Sequence, residues 1–181
     1  MNFQELINKR QSVRKYSDKA VEKEKIKRCI EAARLAPSAS NSQPWKLLII
    51  DNPELKNKVA KETCGKLLKF NKFVLEAQVI IVIVLEKAKV KTRIGEKIKN
   101  KEWRLIDIGI AAEHFCLQAT EEGLGTCMLG WYNEKPIKKL LNIPDNKLIG
   151  LLISVGYPEK DYKLRKKIRK DIEHVVSYNA Y

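Results

Sequence analysis

The chain has 181 residues, 44% of them hydrophobic, enough to bury a sizeable core and too few for two comfortable domains, so residues 1–181 read as one unit. Thirty-six Lys and Arg against 22 Asp and Glu leave a net charge of +14, which suits anionic ligands, nucleic acid or an acidic surface without choosing among them. Cys29, Cys64, Cys116 and Cys127 stand too far apart for a zinc knuckle or redox dithiol, and neither His114 nor His174 has a companion at metal-ligand spacing, which argues against any protein-held metal. With no signal-peptide pattern either, a reduced cytoplasm is expected, and the longest apolar run, Val79 to Leu85, is far short of a bilayer span.

In chain order, Phe3 to Asn8 reads as a helix leading into Lys9-Arg10-Gln11-Ser12-Val13-Arg14. A second helix fits Lys23 to Leu35, with Ile26, Cys29, Ile30 and Ala33 on one face, closed by Pro37. The polar loop Ser38-Ala39-Ser40-Asn41-Ser42-Gln43-Pro44 delivers the chain into a strand, Trp45 to Ile50, which Asp51-Asn52-Pro53 breaks. Leu55, Val59 and Leu67 give Glu54 to Leu68 a helical pattern, its many lysines being solvated faces.

Gln78 to Leu85 is apolar and largely β-branched, as a central strand covered on both faces requires. Ile106 to Glu122 supplies one cover, a helix buried over more than one face, with Glu102 and Asp107 as surface or helix-start charges. A glycine-punctuated strand or turn follows at Gly123 to Trp131, then a short helix at Lys135 to Leu141 and a last apolar strand from Ile149 to Val155. The end is basic, with Arg165-Lys166-Lys167-Ile168-Arg169-Lys170 within the tail 160–181. Helices mixed with buried strands indicate an α+β, three-layer fold.

The acid–base inventory is thin: no carboxylate pair and no Ser–His–Asp arrangement suggests itself, so a borrowed cofactor would carry the chemistry and no catalytic side chain is assigned. Arg10, Ser12 and Arg14 alternate, so an extended backbone would turn all three toward one phosphate; solvated charge is the equally weighted alternative. Asn41 and Gln43 carry amide donors and acceptors suited to a heterocycle edge, against a plain connector. Asn71, just before the central strand, is either a ring contact or a turn residue. Trp45 and Trp103 read as packing residues, Trp131 and Tyr132 equally as pocket walls, and Cys127 as an inert thiol.

Taken together, Arg10-Gln11-Ser12-Val13-Arg14, Pro37-Ser38-Ala39-Ser40-Asn41-Ser42-Gln43-Pro44-Trp45, Asn71 before an apolar strand, Gly123-Leu124-Gly125-Thr126 and Gly156-Tyr157-Pro158 before a basic tail resemble the FMN-dependent nitroreductase family. The resemblance implies a mostly antiparallel central sheet flanked by helices, an interlocked homodimer and FMN at the subunit interface. Arg10, Ser12 and Arg14 then hold the phosphate and ribityl chain, joined by Lys167 and Arg169, with Arg165 and Lys166 as the other choice. Pro37, Ser38, Ala39 and Asn41 approach the flavin from the other subunit, with Gln43 beside them. Asn71 meets the ring edge, and the main chain at Leu129 and Gly130 lies near its hydride-accepting nitrogen. Hydride enters from NADH or NADPH, and electrons leave to a nitroaromatic, quinone or flavin acceptor. Another flavin-dependent reductase or a dehalogenase on the same scaffold is the alternative. The segment between Lys87 and Lys101 has no room for a long lid. A basic nucleic-acid-binding protein is the less favoured reading, since no zinc finger, RNP-like aromatic pair or helix-turn-helix accompanies the charge. Neither a nucleic-acid partner nor a membrane is expected.

Overall fold

The computed structural model describes residues 1–64 and 70–181. The first helix, α1 (Phe3–Lys9), starts on a reciprocal cap: the Asn2 side chain accepts the Glu5 N–H while the Glu5 carboxylate accepts the Asn2 N–H. Helix α2 (Lys23–Arg34) buries Ile26, Cys29 and Ala33 along one stripe and stops short of Pro37, as the spacing predicts. Strand β1 (Trp45–Ile50) is followed by α3 (Pro53–Lys61), capped by the Asn52 side chain on the Leu55 N–H with proline in its first turn. That helix ends before the expected Leu68, and Leu67 lies outside the described residues. One lysine of this stretch is not a solvated charge: Lys56 is buried, donates to the Leu75 carbonyl at 2.7 Å, and burial holds its pKa below the usual lysine value.

Strand β2 (Val79–Leu85) is buried at every position, with β1 paired along one edge and β4 (Leu148–Gly156) along the other. Strand β3 (Gly125–Leu129) pairs with the far edge of β4. The sheet order is β1-β2-β4-β3, antiparallel throughout. Alternation along β2 sorts its side chains into two cores. Val79, Ile81, Ile83 and Leu85 pack with α2 and α5 (Trp103–Glu121), whereas Ile80, Val82 and Val84 pack with α3 and α6 (Glu134–Leu140). Each fully buried Val or Ile contributes about 1.5–3 kcal/mol, so this strand holds the three layers together.

The β2–β4 register slips between Ile83 and Val84, leaving Gly150 as the extra residue. The bulge explains why Ile149 and Leu151, two residues apart, join opposite cores. It also lets α5 sit close, because a Cβ at Gly150 would lie 2.7 Å from Ile108 Cδ1.

One helix was not expected from the sequence. Between Lys87 and Lys101, where no long lid was foreseen, the chain forms α4 (Val90–Lys99). No helix among the described residues is long and apolar enough to cross a membrane.

Candidate functional site

Beyond α1 the backbone becomes extended and runs against the sheet. Ser12 bridges Thr126 of β3 in parallel, the Val13 N–H donates to the Thr126 carbonyl at 2.8 Å, and Tyr16 bridges Pro158. Val13 and Tyr16 turn inward and are buried, the Tyr16 hydroxyl bonding the Val13 carbonyl at 3.0 Å and Ser154 Oγ at 2.8 Å. Gly125 makes this close approach possible, since a Cβ there would fall 2.7 Å from the Val13 side chain. With Val13 fixed inward, the alternation turns Arg10, Ser12 and Arg14 to the opposite side.

The basic C-terminal segment closes over that side. The Tyr162 hydroxyl accepts the Arg14 N–H at 3.0 Å, and the Gln11 amide works in both directions: Nε2 donates to the Lys163 carbonyl at 3.2 Å while Oε1 accepts the Arg165 N–H at 3.1 Å. Arg165 Nη2 donates to the Ser12 carbonyl and Lys167 Nζ to the Arg10 carbonyl. Two stretches more than 150 residues apart thereby form an open cavity of about 300 Å³ lined by Arg10, Ser12, Arg14, Arg165, Lys167 and Arg169, with Lys166 beside them.

The electrostatics of this cavity are unbalanced. The nearest carboxylate is Glu113 on α5, whose Oε1 lies 3.2 Å from Arg10 Nε, yet that buried Nε makes no hydrogen bond. Burial, then repulsion from Arg10 and Arg169, holds the Lys167 pKa below its ordinary value. Crowded cations with one neighbouring carboxylate fit a phosphate, whose oxygens accept charge-assisted hydrogen bonds. Beneath Ser12, burial pushes the Cys127 thiol up despite the opposing pull of Arg14, so it stays protonated and unreactive at neutral pH.

Further along β3 lies a second set of sequence-selected residues. The Leu129 side chain is buried in the core with Ile137, leaving only its backbone for a ligand, while Gly130 is exposed. Asn71 adopts a left-handed conformation (φ 62°), and its Nδ2 donates to the Thr63 carbonyl at 3.2 Å and the Trp131 carbonyl at 3.4 Å. Trp131 is 67% exposed and meets Phe70 edge-on at 5.4 Å. Tyr132 instead packs into the core, its hydroxyl on the Ile149 carbonyl at 2.6 Å. From Thr126 to Gly130 an extended strand covers about 13 Å, separating the cationic cavity from the Asn71–Gly130 end.

The third set, Pro37 to Gln43, lines no part of the cationic cavity. A 3₁₀ turn spans Ala39–Asn41, and Ser40, Asn41 and Gln43 have φ of 51°, 49° and 48°. Left-handed backbone costs a non-glycine residue roughly 1–2 kcal/mol, so three in four positions require outside support. Within the loop, Ser38 Oγ accepts the Gln43 N–H at 2.9 Å and Gln43 Nε2 donates to Asn41 Oδ1 at 2.7 Å. From outside comes Asp107 of α5, whose Oδ1 accepts the Ala39 N–H at 3.1 Å.

Asp107 corrects the sequence reading. It is neither a surface nor a cap charge: only 4% of it is exposed and Oδ2 has no partner. Burial raises its pKa above the ordinary 3.8 despite the Ala39 hydrogen bond, with Glu96 adding to the rise. The native carboxyl therefore holds its proton more tightly than the unfolded one, folding takes up protons, and stability falls as pH rises from 3.8 through the raised native value. Asp107→Asn resembles the protonated acid, so it should raise the Tm at pH 7–8 and leave it unchanged near pH 3. Thermal unfolding at the two pH values checks this.

Gln11, Tyr162, Glu113 and Asp107 were missed by sequence reasoning. Gln11 stands inside the selected motif and Tyr162 just ahead of the basic segment, but their partners lie at the other end of the chain.

The family model described as Nitroreductase family matches residues 7–72 and 62–157. A solved nitroreductase family protein from Clostridium novyi is 36% identical, covering 88% of this chain and 87% of its own with a TM-score of 0.77. A solved FMN-dependent nitroreductase from Clostridium difficile R20291 is 30% identical, with coverage of 97% and 98% and a TM-score of 0.76. A protein of Archaeoglobus fulgidus, provisionally named NADH dehydrogenase/NAD(P)H nitroreductase, is 32% identical over 87% of each chain. A family match over most of the length, joined to the same layered fold in solved relatives, means that the chain belongs to the nitroreductase family.

Proposed function

We propose that the protein is an FMN-dependent oxidoreductase that takes hydride from NADH or NADPH and passes the electrons to a nitroaromatic, quinone or flavin-type acceptor. The observation that carries this reading is the cationic cavity in which Arg10, Ser12 and Arg14 face Arg165, Lys167 and Arg169. Its small size and the convergence of these cations on one point suit a single phosphate monoester. When bound, FMN supplies a ring that accepts a hydride and releases electrons one or two at a time.

The residues divide the task along β3. Arg10, Ser12 and Arg14 grip the phosphate and the start of the ribityl chain. Of the two choices left open in the tail, the geometry favours an inclusive answer: Arg165 and Lys167 rest on the Ser12 and Arg10 carbonyls, within the same cavity as Lys166 and Arg169. The backbone at Leu129 and Gly130, with Asn71, meets the ring at the other end. Positioning and local charge are the protein's contribution, and no side chain is assigned a proton-transfer step.

The loop Pro37 to Gln43 reaches this site from a second copy of the chain. In support, the loop is absent from the cavity wall of its own chain, and apolar side chains are left bare on neighbouring surfaces. Val90, Ile94 and Ile98 of α4 are 68%, 53% and 72% exposed, and Leu105 and Ile106 of α5 and Ile168, Ile172 and Val175 of the tail are uncovered too. Exposed apolar side chains of this number fit an obligate interface. Sedimentation of the FMN-loaded protein should give twice 20.9 kDa with one flavin per chain. Ile106→Asp should yield monomers that bind FMN at least about tenfold more weakly, whereas a monomeric wild type with full FMN affinity would overturn the shared site.

A further inference from the structure

We propose that Thr92 and Asp107 are positioning residues that clamp the Ala39 peptide groups from two helices and so hold the Ser40–Gln43 turn, with Ser40, Asn41 and Gln43 left-handed, for presentation to the flavin. This rests on the flavin reading above for what the turn presents, but the clamp itself is a property of the chain alone.

The contacts form a set in which every proton has an acceptor. Asp107 Oδ1 accepts the Ala39 N–H. Thr92 Oγ1, itself buried, lies 3.3 Å from the Ala39 carbonyl, which can only accept. With the Thr92 proton on that carbonyl, the 2.7 Å contact between Ser42 and Thr92 uses the Ser42 proton. Ser42 Oγ then has lone pairs for the Lys89 N–H at 3.4 Å, just ahead of α4. A relay thus runs from Lys89 N–H to Ser42, Thr92 and the Ala39 carbonyl, with Asp107 closing the other side.

Both arms are fixed relative to each other. Glu96, one turn beyond Thr92, pairs with Arg104 of α5 at 3.0 Å and accepts the Arg104 N–H at 3.2 Å, so α4 cannot shift without disturbing the helix that carries Asp107. The turn between the arms contains the strained Ser40, Asn41 and Gln43. Strain of this kind persists only where surroundings over-determine it, and here the surroundings are two buried side chains, Asp107 on the Ala39 N–H and Thr92 on the Ala39 carbonyl and Ser42. Helix α4, absent from the sequence reading, thereby acquires a task.

Isosteric variants separate hydrogen bonding from packing. Thr92→Val keeps the shape and loses the hydroxyl; Thr92→Ser keeps the hydroxyl and loses a methyl. Amide exchange at Asn41, Ser42 and Gln43 in the flavin-free protein, and FMN titration of the same variants, are the readouts. Loss of one neutral hydrogen bond corresponds to roughly three- to tenfold in each equilibrium. Thr92→Val and Asp107→Ala should therefore show roughly three- to tenfold faster exchange and FMN binding weakened by a similar factor, while Thr92→Ser and Asp107→Asn stay within about twofold of wild type. Unchanged exchange in Thr92→Val, or equal damage in Thr92→Ser, overturns the clamp. Faster exchange with unaltered FMN affinity overturns its role in presentation. A wild type that binds no FMN defeats the flavin reading and the presentation with it, while the exchange data still judge the clamp.

Discussion

Replacing Arg10 and Arg14 together with alanine should weaken FMN binding by roughly 3–6 kcal/mol, on the order of 10²- to 10⁴-fold, taking about 1.5–3 kcal/mol for each hydrogen bond to a charged group. The same variant should bind riboflavin within a few-fold of wild type, because riboflavin has the ring and ribityl chain without the phosphate. The comparison isolates the cavity: loss of both affinities would mean a damaged fold, and loss of neither would mean that the phosphate lies elsewhere. Arg14→Ala alone is the cleaner single variant, since removal of Arg10 also strands Glu113 beside the cavity. Isothermal or fluorescence titration at fixed ionic strength gives both constants, the salt being held because exposed cations are screened.

Gly125→Val should produce the second large effect, at a position outside the lining of the cationic cavity. The added side chain would enter the space occupied by Val13, whose Cβ and both methyls lie within 2.9 Å of a Cβ at position 125. Overpacking of this kind costs about 1–3 kcal/mol. Here it would also lift the strand that bridges Ser12 to Thr126, moving Arg10, Ser12 and Arg14 out of register with the C-terminal segment. We expect a lower denaturation midpoint and FMN binding weakened by at least about tenfold. Val13→Ala should restore part of both losses in a Gly125→Ala background and only harm the wild type. Absence of that coupling in the double-mutant cycle would show that the two residues do not press on each other.

What could be read from the sequence follows from where the physics is local. Strand β2 was legible because seven consecutive apolar, mainly β-branched residues admit few fates other than a strand covered on both faces. The Arg10–Arg14 alternation correctly implied that three polar side chains share a side, since an extended backbone enforces it. Helix α4 was overlooked although Val90, Ile94 and Ile98 recur every fourth residue. The lysines between them blur the pattern, and the apolar stripe faces outward. Asp107 was misread for a different reason. A carboxylate near the start of an apolar helix looks like a helix-start charge, and only the arrival of Ala39 from 68 residues away makes it a buried acceptor. Gln11 likewise acquires its role through partners about 150 residues distant. Such long-range polar contacts leave no periodic trace, whereas cores do.

The positive charge also divides. Lys56 is buried on a carbonyl, and several lysines sit in exposed pairs with glutamates of the same helix, as Lys27 does with Glu24 and Lys58 with Glu54. Pairs of that kind contribute about 0.3–0.5 kcal/mol each and mark no site. The cations that converge without enough carboxylates are those around Arg10 and Arg165 to Arg169.

The most direct test of the account is the visible absorption of the purified, FMN-loaded protein before and after anaerobic addition of NADH and, separately, NADPH. A protein that retains one flavin per chain, whose visible bands bleach with at least one nicotinamide and return when a quinone or nitroaromatic is added, is the result expected. A colourless protein that rejects added FMN, or a bound flavin that neither nicotinamide reduces, would contradict it.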